Sequence, residues 1–323
     1  GVDLECENGL HHYGTFIALI QVSSRKKNWI IDPLSIKHMD CFLDILKSDR
    51  IEKIFHDVGF DFRMIGSEYG VQLTYVFDTQ IAAQFIGKDK VGLSSLLEEY
   101  FSISSKKKFQ RADWTKRPIS REMLAYAVQD SAYLIPLKER LEQEIKALGR
   151  EDWLREECRQ ITKMHWEMDE PDYLNVKGVK SLSDQERAVF KRLYEEREKL
   201  AKKLDKPVHF VINNKRLLEI AQKQPGAGFW KGIKGVHPAV RRESRSFFEA
   251  QRKGEREQVH IEKKTPKRMS PKQKNAFDRM LQVRDHLAEE CGIAAHIIAS
   301  KDQIRDYITT GSTSHFRDWQ KKP

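Results

Sequence analysis

The heptapeptide Phe16–Val22 reads FIALIQV, which is a continuous and largely apolar run. Short runs of this kind, bounded by polar turn residues, are typical of buried β-strands. On its C-terminal side, Asn28–Ile31 is a second strand-like run that leads into a turn at Asp32-Pro33. Two neighbouring strands near the start of the chain indicate that a β-sheet organises this part of the molecule.

Strand-like and helical patterns alternate after these two strands. Apolar runs predict further strands at Ile51–Phe55 and Val71–Phe77. Residues repeating on one helical face predict helices at 35–46, 61–69, 78–85 and 91–100, then one from Ser120 through Asp130 and another to about Ala147. Strands followed by alternating strands and helices predict an α/β domain with a mixed sheet at residues 1–150.

The remainder of the chain has a helical pattern. Ser181–Asp205 is a long, charged amphipathic segment, and residues 252–272 are charged, poor in apolar residues and interrupted by proline. The latter composition predicts a linker, and a last helical unit begins at Lys272. We therefore predict helical domains at residues 175–256 and 268–323.

Composition narrows the class of protein. A chain of 323 residues suits two or three domains, and it contains no apolar run long enough to span a membrane. Its four cysteines are widely spaced without a CxxC pair, which favours a reducing compartment over a disulfide framework or zinc ribbon. No signal-peptide pattern opens the chain, and we expect a cytoplasmic protein.

The positive charge is unevenly distributed. Residues 1–150 contain 21 Lys and Arg and 21 Asp and Glu, whereas residues 151–323 contain 37 and 27, so the net charge of +10 lies in the second part. A basic module joined to a neutral one is compatible with an enzyme that handles a polyanion such as nucleic acid. Basic helices that only remain solvated would give the same count.

Three groups of acidic residues are candidates for a metal site. Asp3 and Glu5 share one face of a strand, although most such pairs are solvated. Asp57 and Asp61 follow a strand-like run, and helix geometry alone does not choose between them. Tyr126 and Asp130 lie on one helical face, where the phenol could orient a water molecule or be part of the core. Carboxylate oxygens are the ligands that Mg²⁺ and Mn²⁺ prefer.

The order D-x-E, H-x4-D and Y-x3-D within one α/β domain resembles the DEDD exonucleases, in the subfamily that carries a tyrosine. The segments Phe77-Asp78-Thr79-Gln80 and Asp113-Trp114 with Arg117-Pro118 are similar to those of the ribonuclease D family. This resemblance covers residues 1 to about 148. Each motif alone is weak, but three in order with matching flanks are specific.

The resemblance implies a ribonuclease H-like fold and two divalent ions, Mg²⁺ or Mn²⁺. It implies that Asp3, Glu5, Asp61 and Asp130 are metal ligands and that Tyr126 positions the attacking water, and it selects Asp61 over Asp57. Members of the family hydrolyse a strand from its 3′ end and release nucleoside 5′-monophosphates. We interpret Asp78 as the start of a helix and not as a ligand. Since the chain starts two residues before Asp3, we expect natural residues to precede Gly1.

The helical part contains a second resemblance. Residues of about 178–255 are similar to an HRDC domain, and Ser270–Trp319 resembles a more divergent second copy. The basic residues Lys231, Lys234, Arg241 and Arg242 lie between apolar segments and are candidates for phosphate contacts, with a solvated helix face as the alternative. Candidates in the first domain are Lys106, Lys107, Lys108 and Trp114; the lysines could be an exposed loop only, and Trp114 could stack on a base or pack in the core.

Together the ordered carboxylate motifs and the basic second part predict a 3′-5′ exoribonuclease that trims RNA with a free 3′ end, either single-stranded or structured, such as transfer-RNA precursors. The family resemblance implies a monomer. Two alternatives stay open at this point. One is a DNA exonuclease of the Werner or proofreading kind, which uses the same carboxylates. The other is a non-catalytic RNA-binding scaffold.

Overall fold

The computed structural model describes residues 1–104, 107–167, 172–261 and 268–321. These residues form two units. The first contains the described parts of Gly1–Glu5, Ile17–Met168 and Pro266–Pro323, and the second those of Cys6–Phe16 and Asp169–Thr265. The predicted α/β character belongs to the first unit, and the second is mainly helical.

Two small sheets position the site. A three-stranded sheet has the order β1 (Val2–Asn8), β2 (Thr15–Ser23), β3 (Asn28–Ile31). Gly1 and Ser23 exchange two backbone hydrogen bonds of 2.8 Å, the pattern of an antiparallel pair, and β3 pairs antiparallel with β2. A two-stranded sheet contains the parallel strands β4 (Lys53–Phe55) and β5 (Val76–Asp78).

Between Asp40 and Ile161, the described residues of the first unit form seven α-helices. They are α1 (Asp40–Lys47), α2 (Gly59–Tyr69), α3 (Thr79–Ile86), α4 (Leu93–Phe101), α5 (Arg121–Ala132), α6 (Leu134–Ala147) and α7 (Glu151–Ile161). Leucines on one face of α6 pack against β4, β5 and α3 in a buried cluster that includes Ile54, Phe77 and Leu137. The helices predicted through Asp130 and to Ala147 are confirmed as α5 and α6.

Some predicted boundaries were wrong. The strand predicted at Val71–Phe77 is limited to Val76–Asp78, because Tyr75 takes a left-handed conformation with φ of 46° just before it. The helix predicted at 35–46 begins only at Asp40. The predicted linker starts too early, since helix α13 continues to Glu255. Apolar spacing indicates which face is buried, but it does not specify where an element begins.

The second unit is built around one long helix. Its helices are α8 (Asp184–Leu204), α9 (Val208–Val211), α10 (Asn214–Lys223), α11 (Ala227–Gly232), α12 (Pro238–Arg242) and α13 (Ser244–Glu255). Ser183 and Glu186 form a reciprocal capping box at the start of α8. The core centres on Trp230, which stacks on Phe247 and donates an indole hydrogen bond of 2.9 Å to Gln251.

The C-terminal segment repeats this sequence of helix lengths. Its helices are α14 (Pro271–Cys291), α15 (Ala295–Ile298), α16 (Lys301–Thr310) and α17 (Asp318–Lys321). The first three contain 21, 4 and 10 residues, as do α8, α9 and α10. Within the first unit, Trp319 of this segment stacks on Trp153 with ring centroids 4.6 Å apart. Among the described residues, none of the helices has the length and apolar character that crossing a membrane requires.

Candidate active site

Strand β1 presents two carboxylates on one face. Val2 and Leu4 point into the core, and the alternation of a strand therefore directs Asp3 and Glu5 to the opposite side. Helix α5 lies over that side and contributes Asp130. Carboxylate oxygens of Asp3, Glu5 and Asp130 all lie within 4.8 Å of one another. The structure thus brings together three of the four predicted ligands in one cluster.

Helix α5 approaches the sheet closely because small residues face it. Ala127 and Ser131 are fully buried, and the Ser131 hydroxyl lies 2.7 Å from that of Ser23 on β2. The helix starts at Ser120, whose side chain accepts a hydrogen bond from the Met123 amide. This register places Tyr126 one turn before Asp130, on the same face.

Asp61 enters the site from helix α2. Its side chain is buried, with 8 % exposure, whereas Asp57 is exposed and has a left-handed backbone with φ of 60°. Asp61 is not part of the group of three. Its negative charge nevertheless contributes to the raised pKa of Glu5, and the negative charge of Asp3 contributes, after burial, to the raised pKa of Asp61. Asp61, and not the exposed Asp57, is therefore the buried carboxylate of this junction, and its role as a ligand stays a prediction.

Asp78 fixes the junction that carries Asp61. Its carboxylate accepts hydrogen bonds from the Gln80 and Ile81 amides at the start of α3 and also from the Asp57 and Val58 amides before α2. The prediction that Asp78 begins a helix is confirmed. Its link to the second helix start was missed, because the two junctions are about 20 residues apart in the chain.

Burial and mutual repulsion make the cluster electrostatically unfavourable by itself. Burial, followed by the negative charge of Asp130, raises the pKa of Asp3 to about 8. Burial and three neighbouring carboxylates raise the pKa of Glu5 to about 10. The pKa of Asp61 is also well above its ordinary value, mainly because of burial. Within the described parts of the chain, no Lys or Arg forms an ion pair with these groups.

Tyr126 and Asp130 act on each other. Burial raises the pKa of Asp130 to about 6, and the hydrogen bond from the Tyr126 hydroxyl opposes that rise. Burial and the adjacent carboxylates raise the pKa of Tyr126 above its ordinary value, so the phenol remains protonated at neutral pH. A protonated phenol next to a carboxylate can donate a hydrogen bond to a water molecule or to a substrate oxygen.

The donor set fits divalent cations such as Mg²⁺ or Mn²⁺. All candidate ligand atoms are carboxylate oxygens, the hard donors that these ions prefer. A bound cation would also lower the pKa of each carboxylate and reverse the repulsion among them. The arrangement supports metal-dependent hydrolysis of a phosphodiester.

The predicted contact of Trp114 with nucleic acid was wrong, because the structure packs this residue in the core. Only 4 % of this residue is exposed, and its ring packs against Tyr126 with centroids 6.1 Å apart. The indole is therefore not available to stack on a base, and it supports the catalytic tyrosine candidate instead.

Arg117 holds the loop that carries Trp114. Its guanidinium donates two hydrogen bonds of 2.7 Å to Asp32, one to the Trp114 carbonyl and one to the Ala18 carbonyl. The same guanidinium lowers the pKa of Asp32. Asp32 was interpreted only as a turn residue, because sequence spacing gives no sign of a contact across 85 positions.

The lysines and arginines predicted to contact nucleic acid differ in what the structure shows for them. Lys108 is exposed and pairs with Glu122 at 2.9 Å, whereas Lys106 and the side chain of Lys107 lie outside the described residues. In the second unit the four predicted cations are exposed, and the structure shows no ion pair for them within its described residues: Lys231, Lys234, Arg241 and Arg242. These four remain free to contact an anionic partner.

Comparisons with known proteins agree with this geometry. Residues 1–146 match the model of a 3′-5′ exonuclease family, and residues 186–227 match the HRDC domain. Ribonuclease D of Musicola paradisiaca is 28 % identical over 91 % of this chain and 80 % of its own length. Human exosome complex component 10 is 30 % identical over 69 % of this chain, which spans only 26 % of that protein.

Solved structures lead to the same group of proteins. Escherichia coli RNase D, described as an exoribonuclease involved in structured RNA processing, superposes with a TM-score of 0.71 at 25 % identity. That match covers 100 % of this chain and 85 % of the other. The catalytic core of RRP6 from Trypanosoma brucei gives a TM-score of 0.69 at 26 % identity, covering 78 % of this chain and 72 % of its own.

Proposed function

Because the chain is a 3′-5′ exoribonuclease of the ribonuclease D type, with an exonuclease domain followed by an HRDC domain, we propose that it trims structured RNA from the 3′ end by two-metal hydrolysis. The observation that carries the mechanism is the cluster of Asp3, Glu5 and Asp130 with Asp61 beside it. Transfer-RNA precursors are the substrates we propose, since they are structured RNAs with 3′ extensions. The products would be nucleoside 5′-monophosphates.

We propose that the four carboxylates hold two divalent ions. When bound, such ions activate a water molecule and stabilise the negative charge that develops on the leaving oxygen. The chain itself would supply the fixed geometry: β1 and α5 bring three carboxylates together, and the junction fixed by Asp78 brings the fourth. Tyr126, which stays protonated, would donate a hydrogen bond that orients the attacking water.

We also propose that the helical parts bind the RNA backbone. The exposed Lys231, Lys234, Arg241 and Arg242 support this proposal for the HRDC domain. The repeated helix lengths support a second HRDC-like domain at 268–323. A cytoplasmic, monomeric enzyme remains our expectation. No disulfide joins any two cysteines within the described residues, as a reducing compartment allows.

The test uses 5′-labelled single-stranded RNA and a DNA strand of the same sequence, with Mn²⁺, with Mg²⁺ and with chelator. We expect a ladder that shortens from the 3′ end of RNA only when metal is present. The variant Asp61→Asn should lose roughly 10²-fold or more in rate and keep its RNA binding, since charge-stabilising groups of this kind contribute that much. Asp57→Asn is the matched control, because Asp57 is exposed and only four residues away.

The possible outcomes distinguish the proposed exoribonuclease from its alternatives. Equal rates for Asp61→Asn and the unmodified protein would refute the proposed metal site. Faster shortening of DNA than of RNA would favour a DNA exonuclease. RNA binding without shortening under any metal condition would contradict the proposed hydrolysis.

A further inference from the structure

Gln21 is a buried polar residue that makes no hydrogen bond through its side chain. It lies on β2 with no exposed surface, and neither its amide oxygen nor its amide nitrogen has a partner in the described portion of the chain. A buried amide of this kind destabilises the fold relative to one that is paired. The buried Gln251 shows the usual situation, because its amide is bonded to Trp230, Pro225 and Glu255.

The strand register places Gln21 next to Asp3. Gly1, which directly precedes β1, is opposite Ser23 of the antiparallel strand β2. Two residues further along each strand, Gln21 is therefore opposite Asp3. Side chains two apart share a face, and the Ser23 hydroxyl reaches Ser131 of α5 on that face. Gln21 and Asp3 therefore lie side by side beneath α5.

The distance and the chemistry suit a contact between the two side chains. Opposite residues on antiparallel strands have Cβ atoms about 5 Å apart, and a glutamine side chain can span this gap by a rotamer change. On the other side of Gln21 the opposite residue is Ile30, which offers no polar side-chain atom. The Ser23 hydroxyl already has its partner in Ser131. The Asp3 carboxylate is thus the polar side-chain group directly opposite the amide.

We propose that Gln21 is a positioning residue for Asp3, whose amide N–H donates a hydrogen bond to the Asp3 carboxylate when that carboxylate holds a divalent cation. The inference rests on the proposed function, in which Asp3 is a metal ligand. An ionised carboxylate uses one oxygen for the ion and offers the other to a donor, and such partners orient the ligand. The unpaired Gln21 amide then destabilises the metal-free protein, and metal binding relieves this by providing a hydrogen-bond acceptor.

If Gln21 positions Asp3, one substitution should preserve or raise the stability of the metal-free protein and should weaken metal binding. Gln21→Met keeps the length of the side chain and removes the amide. Without metal, we expect the variant to melt at the same temperature or up to roughly 3 °C higher, since a buried unpaired amide is lost. With metal, we expect Mn²⁺ affinity to fall roughly tenfold, the usual effect of removing a partner of a ligand.

The experiment measures melting temperature in chelator, Mn²⁺ affinity by calorimetry, and the rate of RNA shortening against Mn²⁺ concentration. The wild-type kcat should return at saturating Mn²⁺ for Gln21→Met, because only the affinity for the ion is weakened. Gln21→Leu serves as a second variant if the first is poorly folded. Gln251→Met is the matched control: it removes a paired amide, so it should lower the melting temperature and leave Mn²⁺ affinity unchanged.

The outcomes separate this inference from the proposed function. If the unmodified protein binds no Mn²⁺, the proposed metal site fails. If it binds Mn²⁺ and the Gln21 variants bind it equally well, only the role of Gln21 is overturned. A Gln21→Met protein that melts lower without metal, as expected for Gln251→Met, and whose kcat is not restored by Mn²⁺ would show a purely structural role.

Discussion

At the scale of single residues, the site is a set of carboxylates placed where they are unfavourable without a cation. Glu5 illustrates this, because burial and three neighbouring acids raise its pKa to about 10. An acid whose pKa is higher in the folded protein than in the unfolded chain binds more protons when folded. Such a group lowers stability as pH rises from its unfolded pKa towards its folded pKa.

Glu5→Gln should therefore stabilise the metal-free protein. We expect an increase in unfolding free energy of at least about 1 kcal/mol at pH 8, since one pKa unit corresponds to about 1.4 kcal/mol. The gain should be smaller at pH 5, where Glu5 is protonated in the folded state. Urea unfolding in chelator at both pH values measures it. Glu7→Gln on the same strand is the control, and a Glu5→Gln protein less stable than wild type at pH 8 would contradict the argument.

Tyr126 should affect the chemical step more than metal binding. Tyr126→Phe keeps the ring that packs against Trp114 and removes the hydroxyl that bonds to Asp130. We expect kcat to fall by roughly 10²-fold, the lower range for a positioned proton-handling group, with Mn²⁺ affinity changed only a few-fold. Single-turnover rates and calorimetry measure the two effects. Equal losses in rate and metal affinity would instead indicate that the hydroxyl mainly supports Asp130.

At the scale of elements, close contacts between helices depend on small residues. Gly254 on α13 faces the backbone of Val189 and Ala188 on α8, and a Cβ atom added there would overlap the Val189 backbone. Gly228 on α11 is also helical, but an added Cβ would meet no atom within 4 Å. These two helical glycines of the same unit thus differ in what an added methyl group would meet.

Gly254→Ala should destabilise the second unit by about 1–3 kcal/mol, the usual cost of adding a methyl group to a packed interface. Gly228→Ala should be neutral or stabilising by up to about 1 kcal/mol, because alanine is the better helix former. Urea unfolding, monitored by tryptophan fluorescence, compares the two variants. Trp230 lies in the core of this unit and its fluorescence reports the unfolding of that core. A Gly254→Ala protein as stable as Gly228→Ala would show that α13 can move away at little cost.

At the scale of the whole molecule, the chain combines a neutral catalytic part with a basic helical part. All of the net charge of +10 lies in residues 151–323. RNA affinity should therefore decrease as salt increases, because each phosphate contact releases bound counterions.

Arg241→Gln should weaken RNA binding more than Arg245→Gln. Arg245 already pairs with Glu249 at 2.7 Å, whereas Arg241 has no ion pair within the ranges that the structure describes. We expect Arg241→Gln to reduce the slope of log Kd against log salt by about 0.7, the value for one phosphate contact on a single strand. Fluorescence anisotropy over a salt series measures this slope. Equal slopes for both variants would remove Arg241 from the proposed RNA contacts.

The family resemblance implied the set of acidic residues with Tyr126. The pattern of the sequence itself determined the α/β and helical parts and the core strand β2. These features depend on local geometry, because the pleat of a strand and the turn of a helix repeat within a few residues. The tertiary structure decided which residues meet across the chain. It buried Trp114, joined Arg117 to Asp32, gave Asp78 a second junction and set Gln21 opposite Asp3. Such contacts depend on the register and packing of distant segments, which local spacing does not contain.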